Sequence, residues 1–165
     1  MRYISLVLVC LAFVAPAESQ HRDATDVLHG DIADFIDALP RDQVSDRPIR
    51  VVDVGGYRVG VYGVFRPKEF LGGANLHRVQ TTEIYYILSG AGTLITGGEL
   101  TDSVAAPNNP TSLRGSGIDG GSQRRIVAGD VVVIPGFTAH WWSEIEQDIE
   151  YLIFRPDPEN RLPLK

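Results

Sequence analysis

The stretch of sequence that decides the fold is GDVVVIPGFTAHWWSE, residues 129–144. Four apolar residues, Val131 to Ile134, run into a Pro-Gly turn, and a histidine then stands beside two tryptophans. The β-branched run predicts a buried strand, and the turn after it predicts a change of chain direction. Because the chain has only four histidines, His140 in this apolar setting is either a buried structural residue or a ligand.

Short β-rich runs surround this stretch and are separated by glycine-rich turns. They predict three hairpins, since such turns between apolar runs are typical of paired antiparallel strands. The three predicted turns are Gly55-Gly56, Ser89–Gly92 and Ala128–Asp130. The run IEYLIF, residues 149–154, closes the series. Many short strands at close intervals predict an antiparallel sandwich or barrel.

One helix and one long loop are predicted outside these strands. Residues 23–39 carry apolar side chains at helical spacing, and Pro40 ends the pattern. Residues 97–122 are rich in Gly, Pro, Asn and Ser and predict a long surface loop, either a tolerated insertion or a lid over a barrel mouth. The residues that form the apolar face of the predicted helix are Leu28, Ile32, Phe35, Ile36 and Leu39.

The first seventeen residues form a separate segment. Arg2 precedes the apolar run YISLVLVCLAFV, and Ala15-Pro16-Ala17 follows it, which is the pattern of a secretory signal peptide cleaved near Ala17. An uncleaved anchor or a buried strand is the alternative. Cleavage would remove Cys10, the only cysteine. A secreted mature domain would then have no disulfide and no thiolate, so nitrogen and oxygen atoms would have to hold any metal.

Composition narrows the classes of function further. The 165 residues carry a formal net charge of −6, which argues against a nucleic-acid partner because phosphate binding needs a basic face. No apolar run long enough to span a membrane follows the N-terminal segment, so we expect no membrane association of the mature form. The length is that of a single domain with a sizeable core.

Two strand faces carry the candidate chemistry. Strict alternation places Glu83 on one face with Tyr85 and Ile87. The same rule places His140 with Trp142 and Glu144. A carboxylate that points into a barrel is costly unless it is paired or bound to a cation, so Glu83 is informative if its face is the inner one.

These two blocks resemble the paired motifs of the cupin superfamily. In the first motif, His77, Glu83 and Gly90 stand at the family spacing, and in the second, Gly129, Pro135 and His140 do. The resemblance covers roughly residues 50–155. It implies an antiparallel double-stranded β-helix, the jelly-roll or cupin barrel, here with one N-terminal helix.

Four positions depart from the family pattern. Val79 replaces the second histidine of the H-x-H pair. Phe137 stands where the second motif has a glycine, with Gly136 just before it, and Glu144 replaces the final asparagine. Leu71 occupies the place of the opening glycine. Three of the four usual ligand positions are therefore kept.

The resemblance implies a divalent transition metal held by His77, Glu83 and His140. Imidazole and carboxylate suit Fe, Mn, Ni or Zn, and three protein ligands leave positions open for water or substrate. Two alternatives stay open. The ligand set could include Gln80, Tyr85 or Glu144, or the barrel could have lost its metal when Val79 replaced a ligand. Tyr85 is the candidate general acid or base. The expected pocket residues are Val79, Ile87, Phe137, Trp142 and Glu144.

The resulting hypothesis is a secreted metal-binding cupin that acts on a small molecule inside the barrel, as an oxygenase, isomerase, cyclase or lyase. The alternatives are a non-catalytic barrel that binds a small ligand and a barrel that serves only as a rigid body. Dimerisation is common among cupins, so a homodimer is an alternative to a monomer. The expected division is a signal peptide, residues 1–17, a helical segment, 18–48, the barrel, 49–155, and a polar tail, 156–165.

Overall fold

A computed structural model describes residues 23–107 and 109–165 of the chain. The predicted signal peptide and its cleavage near Ala17 lie outside the described residues. One helix and eleven strands follow one another in this order: α1 His29–Asp37, β1 Ser45–Asp53, β2 Arg58–Arg66, β3 Ala74–His77, β4 Glu83–Thr96, β5 Glu99–Thr101, β6 Val104–Ala106, β7 Asn109–Gly115, β8 Gly117–Asp119, β9 Ser122–Val127, β10 Val131–Ile134 and β11 His140–Asp157.

The two longest strands, β4 and β11, form the spine of the fold. They pair antiparallel from Ile84 opposite Phe154 to Thr96 opposite His140. The first half of β4 and the second half of β11 are flanked by β10, β2 and β1. The second half of β4 is flanked by β9. The first half of β11 is flanked by β3, which is followed by β7 and β6. Each long strand therefore belongs to two layers.

The two layers enclose one hydrophobic core. Val64 and Ile87 come from the first layer, and Leu94, Ile126 and Trp142 from the second, and all five belong to the same buried cluster. Within residues 23–107 and 109–165 the pairing is antiparallel throughout, and α1 is the single helix. The predicted all-β double-stranded barrel with one N-terminal helix is confirmed.

The ribbon of β4 and β11 is bent by irregular pairing. The register shifts four times along β11, between Trp142 and Tyr151. Shifts of this kind are β-bulges, which bend a strand and increase its local twist. Glu83 begins β4 and His140 begins β11, so they start at opposite ends of the ribbon. Bending the ribbon is what allows these two ends to meet.

The helix is shorter than the sequence pattern predicts. It begins at His29 rather than near residue 23, and Leu28 at its N-cap offers no side-chain hydrogen bond to the first turn. Ile36 and Leu39 pack with Phe65 and Leu152 in a second cluster on the sheet, as the apolar spacing predicts. No helix in residues 23–107 and 109–165 is long and apolar enough to cross a membrane.

The hairpin predicted at Ser89–Gly92 is wrong, because β4 continues through this segment. Gly90 has a φ of +84°, and a Cβ there would overlap the carbonyl oxygen of Asp148 in β11. A Cβ on Gly92 would lie 2.5 Å from the Glu144 carbonyl oxygen. The two glycines therefore allow close backbone approach within the bent ribbon rather than a reversal of the chain.

The hairpin predicted at Ala128–Asp130 is also wrong. Both β9 and β10 pair with β4, one after the other, and not with each other. The intervening residues stay bonded to β4, since the Gly129 N–H donates to the Ile87 carbonyl (2.9 Å) and the Ile87 N–H to the Asp130 carbonyl (3.1 Å). The turn signal marks a bulge between two collinear strands.

The hairpin predicted at Gly55-Gly56 is confirmed by the pairing of β1 with β2.

The long loop predicted over residues 97–122 is wrong in its structure. The segment holds β5 to β8, and β7 pairs with β3 beside the barrel. Most residues of β7 are half-buried or exposed, so polar residues are tolerated there and no alternating pattern marks the strand.

The C-terminal tail is anchored to the barrel, because Leu162 packs against the core and the backbone of Lys165 pairs with Val51.

We expect Gly90→Ala to lower the free energy of unfolding by about 3 kcal/mol or more, because a positive φ and a backbone overlap act together. The matched control is Gly129→Ala, which has a φ of +90° and nothing within 4 Å of a Cβ. Only the conformational penalty of about 1 to 2 kcal/mol applies there. Urea unfolding of both variants measures the difference, and equal losses would contradict the close approach.

Candidate metal site

Three strand ends bring the predicted ligands together. His77 is the last residue of β3, Glu83 the first of β4 and His140 the first of β11. One nitrogen from each histidine and one carboxylate oxygen lie within 4.8 Å of one another. The structure thus places all three candidate ligands at one point inside the barrel.

The three side chains face one another at short range. The Nε2 atom of His140 lies 3.6 Å from Oε2 of Glu83, and the Nε2 atom of His77 lies 3.9 Å from Oε1. The two imidazole ring centres are 5.3 Å apart. Glu83 and His140 are only 5% and 6% exposed. Their faces are therefore the inner ones, as the alternation of Glu83 with Tyr85 and Ile87 predicts.

Both imidazoles are oriented through their other ring nitrogen. The Nδ1 atom of His140 lies 3.1 Å from the Thr138 carbonyl oxygen, which can only accept, so Nδ1 carries the proton. The Nδ1 atom of His77 lies 2.8 Å from the Ser112 hydroxyl. Burial lowers the pKa of His77 below its usual value, against the opposing charge of Glu83. Imidazoles held through Nδ1, with Nε2 directed at a shared carboxylate, are the arrangement that histidine metal ligands adopt.

Glu83 is ionised and held from two sides. Arg155 Nε donates to Oε1 at 2.9 Å, and the Tyr85 hydroxyl donates to Oε2 at 3.0 Å. Burial by itself would raise the pKa of Glu83. The charges of Arg155, His140 and His77 and the Tyr85 hydrogen bond outweigh burial and lower this pKa to about 2.

Arg155 joins Glu83 to a second carboxylate. Its two Nη atoms donate to Asp46 at 2.6 and 3.2 Å, and its guanidinium lies 4.1 Å from the centre of the Tyr62 ring. Burial alone would lower the pKa of Arg155, but Asp46 and Glu83 raise it well above the usual value. Arg155 therefore remains a fixed cation between two anions. The sequence analysis did not identify Arg155 or Asp46 as site residues. The available signal for Arg155 was its position directly after the apolar run IEYLIF.

Tyr85 donates a hydrogen bond to Glu83, and its role as a general acid or base stays a prediction. It is 3% exposed, and burial, followed by the charge of Glu83, raises its pKa well above the usual value. The phenol therefore keeps its proton at neutral pH and serves as a hydrogen-bond donor. Its edge also faces His140, with ring centres 6.5 Å apart. Tyr85 is a positioning residue for the carboxylate.

Two cavities meet at this cluster. The first, which we call the Val79 cavity, has a volume of about 490 Å³, and the second, the Trp142 cavity, about 510 Å³. Val79, Thr81 and Ser112 line only the Val79 cavity, and Tyr85, His140 and Trp142 only the Trp142 cavity. Four residues line both cavities: Asp46, His77, Glu83 and Arg155.

Three predicted pocket residues line neither of these cavities. Ile87 is 1% exposed and belongs to the packed core. Glu144 is exposed, because the bulge at Ser143 reverses the alternation after Trp142, and it accepts a hydrogen bond from Thr93. Gln80 is exposed as well. Neither Gln80 nor Glu144 joins the histidines, so the ligand set is not shifted toward them.

Phe137 is the third predicted pocket residue outside the cavities, and its backbone explains its position. It is 59% exposed and has a φ of 60°, the left-handed conformation that the glycine of the family motif adopts readily. Gly136 lies so close to the Val79–Gln80 backbone that a Cβ would overlap it. The Phe137 N–H donates to the His77 carbonyl at 3.0 Å. The turn therefore fixes the end of β3 beside the start of β11.

The donor set fits a divalent transition metal. Two imidazole nitrogens and one carboxylate are available, and both histidines present Nε2. Oε2 of Glu83 accepts one hydrogen bond, from Tyr85, and keeps a lone pair for a further partner, whereas Oε1 faces two nitrogens of Arg155 at 2.9 and 2.8 Å. Ligands of this type suit Fe, Mn, Ni or Zn rather than Ca or Mg.

Comparison of the sequence with known families gives no assignment. No protein-family model matches the chain, and no curated protein matches it.

Comparison with solved structures gives similar barrels at low identity. The DMSP lyase DddQ from Ruegeria pomeroyi aligns at 19% identity and a TM-score of 0.47, over 80% of this chain. This chain spans about half, 53%, of that lyase. BH2720 from Bacillus halodurans aligns at 15% identity and a TM-score of 0.49, over 87% of this chain and 88% of its own.

A third similar structure is an uncharacterized protein from Klebsiella pneumoniae with a double-stranded β-helix domain. It aligns at 14% identity and a TM-score of 0.43, over 72% of this chain and 84% of its own. The antiparallel double-stranded β-barrel that the resemblance to cupins implies is present in the strand pairing of this chain itself. The chemistry of this chain has to be argued from its own residues.

We expect Arg155→Ala to lower the free energy of unfolding by about 3 kcal/mol or more, since it leaves Glu83 buried without its cation. Urea unfolding in the presence of a chelator measures the loss without any contribution from metal. Arg125→Ala is the matched control, because Arg125 forms a bidentate pair with Glu146 on the surface. Its unfolding midpoint should hardly change. Equal effects in the two variants would contradict the role assigned to Arg155.

Proposed function

We propose that this protein is a metal-binding cupin in which His77, Glu83 and His140 hold one divalent transition metal. The convergence of two Nε2 atoms on one buried, ionised carboxylate carries this proposal. We further propose that the protein is an enzyme acting on a small molecule within the Trp142 cavity, with an oxygenase, isomerase, cyclase or lyase type of reaction.

The surrounding residues prepare the site for this role. A bound metal of this kind polarises an oxygen of a substrate or activates water. Thr138 and Ser112 hold the imidazoles in the ligand orientation, and Arg155 and Tyr85 keep Glu83 ionised and fixed. Trp142 is 2% exposed and forms part of an apolar wall beside these polar groups. A partly apolar cavity next to convergent polar groups is typical of small-molecule sites.

A non-catalytic ligand-binding barrel is the second candidate. It is favoured by Val79, an apolar residue at the fourth ligand position of the family, and by Arg155, whose positive charge opposes a cation at Glu83. A binding protein would release its ligand unchanged, whereas an enzyme would release a product. Mass spectrometry of a compound that copurifies or stabilises the protein distinguishes the two.

We expect the purified protein to retain about one Fe, Mn, Ni or Zn per chain, and His140→Ala and Glu83→Ala to abolish retention because each removes a ligand. Elemental analysis measures the content. Metal added back should raise the unfolding free energy by about 2.7 kcal/mol at a free concentration of about 100 times Kd. His29→Ala is the matched control, since His29 is an exposed histidine at the start of α1.

A gain of affinity provides the complementary test. Val79→His would supply the missing family ligand from a residue that lines a cavity with His77 and Glu83. This variant should bind the metal more tightly than the natural chain. Retention that is equally weak in the natural chain, His140→Ala and His29→Ala would overturn the metal proposal.

We propose that the domain acts after export from the cytoplasm. The support is the sequence pattern of residues 1–17, a basic residue, an apolar run and a small-residue ending. N-terminal sequencing of the exported protein should begin near Glu18. Recovery of only the uncleaved chain, retained inside cells, would contradict this proposal.

A further inference from the structure

We propose that the Trp142 cavity recognises its small molecule through a carboxylate group, bound by the guanidinium groups of Arg47, Arg66 and Arg114. The inference deepens the proposed function, on which it rests for the position of this group beside His77, Glu83 and His140. The argument uses the balance of charge around the cavity, the unpartnered donors in its wall and the shape of the donor groups.

The charges that line the Trp142 cavity do not balance. Four arginines line it, Arg47, Arg66, Arg114 and Arg155, against two carboxylates, Asp46 and Glu83. Both carboxylates are paired with Arg155. The other three arginines form no ion pair in the described part of the chain. A chain with a net charge of −6 therefore gathers uncompensated positive charge at this one cavity.

Two of the three arginines donate hydrogen bonds to neutral groups. Arg66 donates to the Leu71 carbonyl at 3.3 Å. Arg114 donates to the side-chain oxygen of Asn75. Each guanidinium carries five N–H donors, so these contacts leave donors free for a ligand. Outside the cavity, Arg125 and Arg161 each pair with a glutamate. Arg58, Arg78 and Arg124 donate to neutral oxygens there, so the distinctive feature of the cavity is that three such arginines share one site.

Two buried donors in the wall have no acceptor. The Nε1 atom of Trp142 and the Nε atom of Arg66 have no hydrogen-bond partner in the described part of the chain. Trp142 is 2% exposed, so its N–H is shielded from bulk water. Buried donors without partners are rare, and each one calls for a specific explanation. Both residues line the Trp142 cavity, so a ligand rich in acceptors could satisfy either donor once its side chain turns toward the cavity.

The recognition groups and their setting favour a carboxylate. The planar guanidinium fork forms two parallel hydrogen bonds with a carboxylate or with a phosphate, so the rest of the cavity has to distinguish the two anions. Phosphate sites commonly use the N-terminus of a helix, and α1 contributes no residue to this cavity. The volume of about 510 Å³ suits a small molecule.

Calorimetry with matched pairs of anions and amides tests the proposal. The metal content of each sample is first measured by elemental analysis. Acetate, succinate, adipate and benzoate are then titrated alongside acetamide, succinamide, adipamide and benzamide, and inorganic phosphate forms a separate arm. The affinity for at least one carboxylate should be about tenfold higher, or more, than the affinity for its amide. Added salt should lower the affinity for that carboxylate.

Three variants locate the binding. Arg47→Gln and Arg114→Gln remove exposed charges, and each should weaken the carboxylate about tenfold while leaving the amide unchanged. Trp142→Phe keeps an aromatic ring but removes the N–H, and it should also weaken the carboxylate. Arg50→Gln is the matched control, since Arg50 lies on β1 with Arg47, is exposed and does not line the cavity. It should bind as the natural chain does.

The outcomes separate this inference from the proposed function. Retained metal without any preference for carboxylates over amides overturns the inference and leaves the function standing. Carboxylate binding that depends on Arg47 and Arg114 in a protein that holds no metal supports the inference and overturns the function. Equal weakening in Arg50→Gln and Arg47→Gln, or binding of phosphate in preference to every carboxylate, overturns the inference.

Discussion

The bend in the β4–β11 ribbon is the constraint on which the rest of the structure depends. Glu83 and His140 begin opposite ends of this ribbon, yet their side-chain atoms approach to 3.6 Å. A straight antiparallel pair of this length would hold its ends tens of ångströms apart, at about 3.4 Å per residue. The bulges in β11 and the glycines of β4 convert a flat pair into a closed barrel. The candidate metal site is therefore a product of the same bend that encloses the core.

Charge inside the barrel is arranged around Glu83. A buried carboxylate needs a cation, and Arg155 supplies one whether or not a metal is present. Arg155 thus balances the charge of Glu83 independently of any ion. The same pairing also occupies Asp46, which is why the remaining arginines of the Trp142 cavity are uncompensated. One ion-pair network links the stability of the site to the charge of its pocket.

The sequence predicts the site better than it predicts the path of the chain. The spacing of His77, Glu83 and His140 resembles a known pair of motifs, and these residues meet. The glycines at Ser89–Gly92 and Ala128–Asp130 predict turns, but glycine also permits bulges and close backbone approach, and only the pairing partners decide between these uses. The single extra residue at Ser143 turns Glu144 outward, and alternation cannot foresee it.

The supporting residues were beyond sequence reasoning for a different reason. Arg155 lies 72 residues from Glu83 and 109 from Asp46, and Ser112 lies 35 residues from His77. No periodicity within one strand encodes contacts of this range, because they arise only when the layers are stacked.

The four residues shared by the two cavities form a common wall, and this has a consequence for redesign of the protein. Any change to Asp46 or Arg155 alters both compartments at once, so neither compartment can be reshaped through these positions alone. Val79 and Trp142 each border a single compartment. They are the positions from which one side can be enlarged or narrowed while its neighbour is left intact.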